Sequence, residues 1–204
     1  MRNLFFFLAL LLAGISCSSQ DNAASPLLAT TPAWAEVVSS VACQADVPSL
    51  ISAQADHHAD APSLADRSSL DQAEIIFSNG LGLEAGWSAA LAATPTPVFE
   101  AATALNLTQG DPHFWLDPNL VRTLLPSIEA ALLAHSDLTA DELWRCRQET
   151  DQQLVALDAE LAQRISVIPV SQRLLVTDHQ FLTHLADRYD ITVIDTLVDD
   201  DSSL

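Results

Sequence analysis

The chain of 204 residues has no lysine: all 8 of its basic residues are arginine, set against 27 Asp and Glu, for a formal net charge of −19. Such a balance repels polyanions and excludes nucleic acid and anionic membrane surfaces as partners. The acidity reads as a solvated surface suited to salty surroundings, where its pull on distant cations is weak. Short metal-binding and zinc-protease units are missing too: there is no C-x-x-C, H-x-x-x-H or H-E-x-x-H. Cysteine is scarce, at positions 17, 43 and 146 alone. What the chain does have is 49% hydrophobic residues, ample for a packed core in one domain or two small lobes.

The apolar run Leu4 to Ala13 is too short to span a bilayer as a permanent helix. With Arg2 before it and the small residues Gly14 to Ser16 after it, it reads as an export signal over residues 1–17. LLAGISC resembles a lipobox, with Gly14 where that motif usually has Leu. Cys17 is therefore either a lipid-anchored first residue or part of a simple cleavage region. Either way the mature protein lies outside the cytoplasm, in a periplasm or at the extracytoplasmic face of the membrane. Such a compartment permits a Cys43–Cys146 disulfide, with two buried thiols as the alternative.

Residues 18–33, SSQDNAASPLLATTPA, are small, polar and proline-containing, which reads as a tether, with the fold beginning at Trp34. The short apolar runs EVVSSVA (36–42), SLIS (49–52), EIIFSNG (74–80) and TPVFEA (96–101) favour buried strands, and LEAGWSAALAA (83–93) favours a helix. Alternation of this kind predicts an α/β lobe with a parallel sheet over residues 34–137. A long linking helix over 138–168 follows. Thr139 and Glu142 make a T-x-x-E capping box, Leu154, Leu157, Leu161 and Ile165 recur at helical spacing, and Pro169 stops the run. Residues 169–204 read as part of a second α/β lobe: strand 173–178, helix 180–189, strand 191–195 and an acidic tail.

Six histidines divide by setting. His58 follows a predicted strand in ADHHADAPS, His113 sits in the segment DPHFWLDP, and His179 lies where VTD gives way to a helix. The two Asp-Pro steps around His113 predict a stiff, non-helical loop, because proline fixes its own φ and pushes the preceding residue towards extended backbone. Loops at strand ends are where open α/β sheets build ligand sites. Three neutral imidazoles with one oxygen donor suit zinc. For each of these taken alone, a surface or hydrogen-bonded histidine is the commoner outcome. His135 reads as the C-terminal residue of a helix and His184 as structural, while His57 is either a spare donor or exposed.

Four stretches resemble, in order, the extracytoplasmic solute-binding receptors of zinc and manganese ABC importers. DHHADAPSLAD (56–66) is similar to the family's first-histidine segment, AEIIFSNGLGLE (73–84) to its N-G-x-G-x-E strand end, and DPHFWLDP (111–118) to its hallmark loop. LVALDAELAQRI with VTDHQFLTHLADRYDI (154–165, 176–191) resembles the linking helix and third-histidine segment. The resemblance implies two parallel-sheet α/β lobes joined by a long helix, with a metal in the cleft held by His58 and His113 from the first lobe and His179 from the second. It implies Zn²⁺ as cargo, with Mn²⁺ as the alternative, and a membrane permease as partner.

The pattern also departs from the family. Too few residues separate Val41 from His58 for the usual strand, helix and strand, Asp60 replaces a tyrosine, and the second lobe reads as incomplete. The leading expectation is a metal-capturing receptor with no catalysis. The alternatives are a truncated, non-transporting or metal-sequestering remnant, and a zinc metallohydrolase, against which the missing H-E-x-x-H counts.

Overall fold

The computed structural model describes residues 27–52 and 61–197. It opens on strand β1 (Leu27–Ala29), all three residues of which are buried. The tether expectation for 18–33 thus fails from Leu27 onwards, where small and polar neighbours mask a short apolar strand. Helix α1 (Pro32–Val41) follows at once. The Thr31 hydroxyl accepts a hydrogen bond from the Trp34 N–H, Pro32 occupies the first turn, and Trp34, Ala35, Val38 and Val41 turn inwards at helical spacing.

The expected strand EVVSSVA is therefore helical. A window beginning at Glu36 omits the Thr31-Pro32 start signal and Trp34, leaving only valines that look β-forming. Helix α1 supplies the element that seemed to be missing between the first strand and the first-histidine loop. The expected strand SLIS reduces to a single parallel bridge, Ser49 to Ala29.

Helix α2 (Leu64–Gln72) starts with a reciprocal Ser63–Asp66 capping box and leads into strand β2 (Ile75–Ser78). Helix α3 (Ser88–Ala93), strand β3 (Val98–Glu100) and the short helix α4 (Ala101–Ala104) follow. The three strands form one parallel sheet in the order β1-β2-β3, with Leu28 paired to Ile76 and Phe77 to Phe99. The central strand is apolar at three successive positions because both of its faces are covered. Leu27, Ala29, Ile75 and Phe77 point to a core with Trp34, Val38, Phe114, Leu124 and Ile128. Leu28 and Ile76 point the other way, to Ile51, Leu70 and Trp87.

Helix α5 (Pro118–His135) begins at the second Asp-Pro step. Asp117 is its N-cap, accepting from the Asn119 N–H at 2.8 Å, and Pro118 is its first residue. The stiff segment read from DPHFWLDP is thus a 3₁₀ turn, Phe114–Leu116, ending in a helix start. Helix α6 (Ala140–Ser166) has 27 residues and the predicted Thr139–Glu142 capping box. Arg122–Asp151 at 2.9 Å and Arg147–Glu129 bind α5 and α6 side by side. Cys43 and Cys146 form a disulfide with Cα atoms 5.3 Å apart, tying the end of α1 to α6.

Only Leu143, Cys146 and Thr150 of α6 are buried, all in its N-terminal half. Beyond Leu154, which still packs against the first core, α6 meets a second unit through Arg188 and Tyr189. There strand β4 (Leu174–Thr177), helix α7 (Thr183–Tyr189) and strand β5 (Thr192–Thr196) make a parallel β-α-β unit. On α6, Asp158 accepts from Arg188 at 2.6 Å and from the Tyr189 hydroxyl at 2.9 Å. The linking-helix architecture read from the sequence is therefore present, with parallel strands on both sides of α6.

Candidate metal centre

The loop before α5 is held from below by the N-G-L-G-L-E turn. Gly80 and Gly82 have φ of +85° and +77°, a left-handed backbone that glycine adopts without a Cβ clash. This curl brings Glu84 back under the strand end. Its carboxylate accepts from the Thr30 hydroxyl at 2.6 Å, the Asn79 N–H at 2.7 Å and the Gly80 N–H at 3.1 Å. Asn79, fixed in this way, accepts from Trp34 Nε1 at 2.8 Å and donates to the Pro112 carbonyl at 2.9 Å. The motif thus clamps the backbone immediately before His113. Phe114 completes the anchor: it is fully buried, with its ring 5.7 Å from that of Trp34.

Asp111 organises the loop from within. Its Oδ1 accepts from the His113 N–H at 2.9 Å and from His113 Nδ1 at 2.7 Å. Its Oδ2 accepts from the Thr183 N–H on α7 at 2.9 Å. Burial by itself would push this carboxyl up, but the hydrogen bonds from His113 and Thr183 outweigh it and hold the group down at about 2. An ionised carboxylate only accepts, so the His113 proton toward it sits on Nδ1 and the basic nitrogen of the neutral ring is Nε2. A carboxylate behind a histidine is the usual way of orienting a metal-binding imidazole and raising its basicity.

His179 comes from the other lobe, two residues past β4, at the carboxyl end of a parallel strand. Its N–H donates to Asp178 Oδ1 at 3.0 Å, its Nδ1 lies 3.2 Å from the same oxygen, and its carbonyl accepts from the Thr177 hydroxyl at 2.8 Å. The rings of His113 and His179 stand 5.4 Å apart. Phe181 lies 5.0 Å from His179 and 6.0 Å from His113, and Trp115 lies 5.1 Å from His113, so aromatic rings wall the pair.

Of the three sequence-derived ligand candidates, the structure brings His113 and His179 together, and His58 lies outside the described residues. Among the described residues, no group of three His, Cys, Asp or Glu side chains converges on one point. His184 bonds to the Asp111 carbonyl through Nε2 at 2.9 Å and stands edge-on to Phe114, a structural role as expected. His135 ends α5, also as expected. The sequence reading missed Asp111 as a partner of His113, Asp178 as a partner of His179, and Phe181. An Asp two residues before a candidate ligand in a rigid loop is a signal for the first of these.

Two parallel α/β units on either side of a long helix, with histidines from both units facing each other, define a two-lobed binding-protein fold. The chain belongs to the family described as ZnuA, zinc-uptake complex component A, periplasmic, whose model matches residues 27–203. It is 30% identical over 153 residues to the iron-binding protein YfeA of Yersinia pestis, covering 70% of this chain and 49% of that protein. It is 27% identical over 151 residues to the metal-binding protein YtgA of Chlamydia trachomatis, covering 69% of this chain and 46% of that protein. The chain thus spans about half the length of these curated relatives. Among solved structures, the periplasmic zinc binding protein TroA of Treponema pallidum matches with a TM-score of 0.79 at 22% identity, covering 88% of this chain and 69% of that one. A zinc-bound ZnuA deletion mutant matches with a TM-score of 0.76 at 22% identity, covering 85% and 70%. These structures share the fold.

Proposed function

We propose that this protein is an extracytoplasmic receptor that captures a divalent metal ion and delivers it to the membrane permease of an ABC importer. His58 and His113 from the first lobe and His179 from the second hold the ion. The cargo is Zn²⁺, because three imidazoles favour a borderline-soft ion, whereas Mn²⁺ prefers more carboxylate oxygen. Residues 1–17 direct export, Cys17 is a candidate lipid anchor, and residues 138–168 serve as the rigid link between lobes.

The observation that carries this reading is the His113–His179 pair, 5.4 Å apart across the lobe junction, with the His113 proton drawn to Nδ1 by Asp111. A receptor needs a coordination shell that closes and reopens, not an activated water, so no catalysis is assigned. The test is zinc binding by the purified chain, read as stoichiometry and chelator competition, with manganese in parallel and melting followed with and without metal. One tight equivalent of zinc with a raised melting temperature is the expected result, since a ligand that binds only the folded state stabilises it. Cooperative melting without uptake of either metal would overturn the proposal.

A further inference from the structure

We infer that Asp111 is a positioning residue that couples the His113 ring to the junction between the lobes, so that metal occupancy and lobe docking reinforce each other. The inference rests on the receptor reading above for the metal and on the geometry alone for the junction. One buried carboxylate divides its two oxygens between the lobes. Oδ1 takes the His113 N–H and Nδ1, and Oδ2 takes the Thr183 N–H at the start of α7. A third bond follows the same line, from His184 Nε2 on α7 to the Asp111 carbonyl. The side chain of Asp111 is fully buried, so water does not replace any of these partners.

The chemistry of the carboxylate is what permits this arrangement. It accepts on both oxygens, while the isosteric amide has one accepting and one donating end. In Asp111→Asn, an NH₂ turned to His113 forces its proton onto Nε2, the nitrogen that the carboxylate otherwise keeps basic. An NH₂ turned to Thr183 sets two donors face to face and breaks the bond across the junction. Either way one side of the linkage is lost. Because coupling between two equilibria is reciprocal, tightening the His113 ring on a metal also tightens the Thr183 contact.

The experiment uses the full chain, wild type and Asp111→Asn, with ¹⁵N-histidine ring shifts and Thr183 amide exchange read by NMR, first without metal and then with zinc alone. In the metal-free variant, either the His113 tautomer switches or Thr183 exchanges at least tenfold faster, and zinc affinity falls at least tenfold. In the wild type, zinc slows Thr183 exchange at least fivefold. If the Asn variant does not fold, His184→Leu removes the neighbouring bond across the junction and must speed Thr183 exchange in its place. A variant that keeps both the ring shifts and the Thr183 protection overturns the inference, as does wild-type zinc binding that leaves Thr183 exchange unchanged. If the wild type takes up no zinc while Asp111→Asn still disturbs ring or amide, the receptor function falls and the positioning role of Asp111 stands.

Discussion

The His113 and His179 rings meet 5.4 Å apart although one belongs to the loop before α5 and the other follows β4 in the second parallel sheet. That contact makes His113 the sharpest single test of the site. His113→Ala is expected to lower zinc affinity at least tenfold, about 1.4 kcal/mol or more, by chelator competition. His135→Ala, at the exposed end of α5, is expected to leave both affinity and melting within about 0.5 kcal/mol of wild type. A large loss from His135 would mean that the histidines have been divided wrongly.

Much of the second half of the chain was legible because its signals are local. The Thr139–Glu142 box, the stop at Pro169, and the apolar run Leu174–Val176 before His179 each specify an element within a few residues, and each is where the spacing places it. The start of the fold was not. Leu27–Ala29 is too short to show a period, and its strand identity comes from pairing with Ile75–Phe77, a contact that no local window contains. EVVSSVA failed for a related reason, since its helical face becomes visible only when Trp34 and the Thr31-Pro32 start are included. At the site, the type and place of His113 could be read and Asp111, two residues before it, was a local signal for its partner, whereas the second bond of Asp111 could not be read, because Thr183 arrives from the other lobe.

Tyr189 gives the junction a pH signature. Burial first, and then its hydrogen bond to the Asp158 carboxylate, push its hydroxyl up from 10.0 to about 12. A group whose folded value is raised contributes stability that is fully present below its unfolded value and is lost as pH climbs through the folded one. Stability measured by urea unfolding should therefore decline between about pH 10 and pH 12. Tyr189→Phe should flatten the curve in that window, and an unchanged slope would show that the hydroxyl is not held as described.

The Cys43–Cys146 bond closes a loop over a sequence separation of 103 and fastens α1 to the buried end of α6. Such a link acts largely on the unfolded chain, so its removal is expected to cost about 2–4 kcal/mol. Cys43→Ser with Cys146→Ser should lower the melting temperature by several degrees. Metal affinity should be retained, because the bond ties α1 to α6 at Cys146, several turns before Asp158, where α6 meets α7. Equal loss of affinity and stability would indicate that the posture of α6 sets the site.

Glu84 tests whether the N-G-L-G-L-E turn supports the site or only the sheet. Its carboxylate is buried and serves three donors, the Thr30 hydroxyl and the N–H groups of Asn79 and Gly80. Glu84→Ala leaves the Asn79 and Gly80 N–H groups without this partner, at about 1–3 kcal/mol for each that finds no water, while the Thr30 hydroxyl keeps the Phe77 carbonyl at 3.4 Å, so a loss of about 2 kcal/mol or more is expected by urea unfolding. Glu84→Gln keeps an accepting oxygen for Thr30 and Asn79 and loses only the bond to Gly80, so it should cost clearly less. Because Asn79 in turn holds the Pro112 carbonyl, the Ala variant should also bind zinc more weakly even where it remains folded. Destabilisation with unchanged affinity would confine Glu84 to the sheet and leave Asp111 and Phe114 to hold His113 in place.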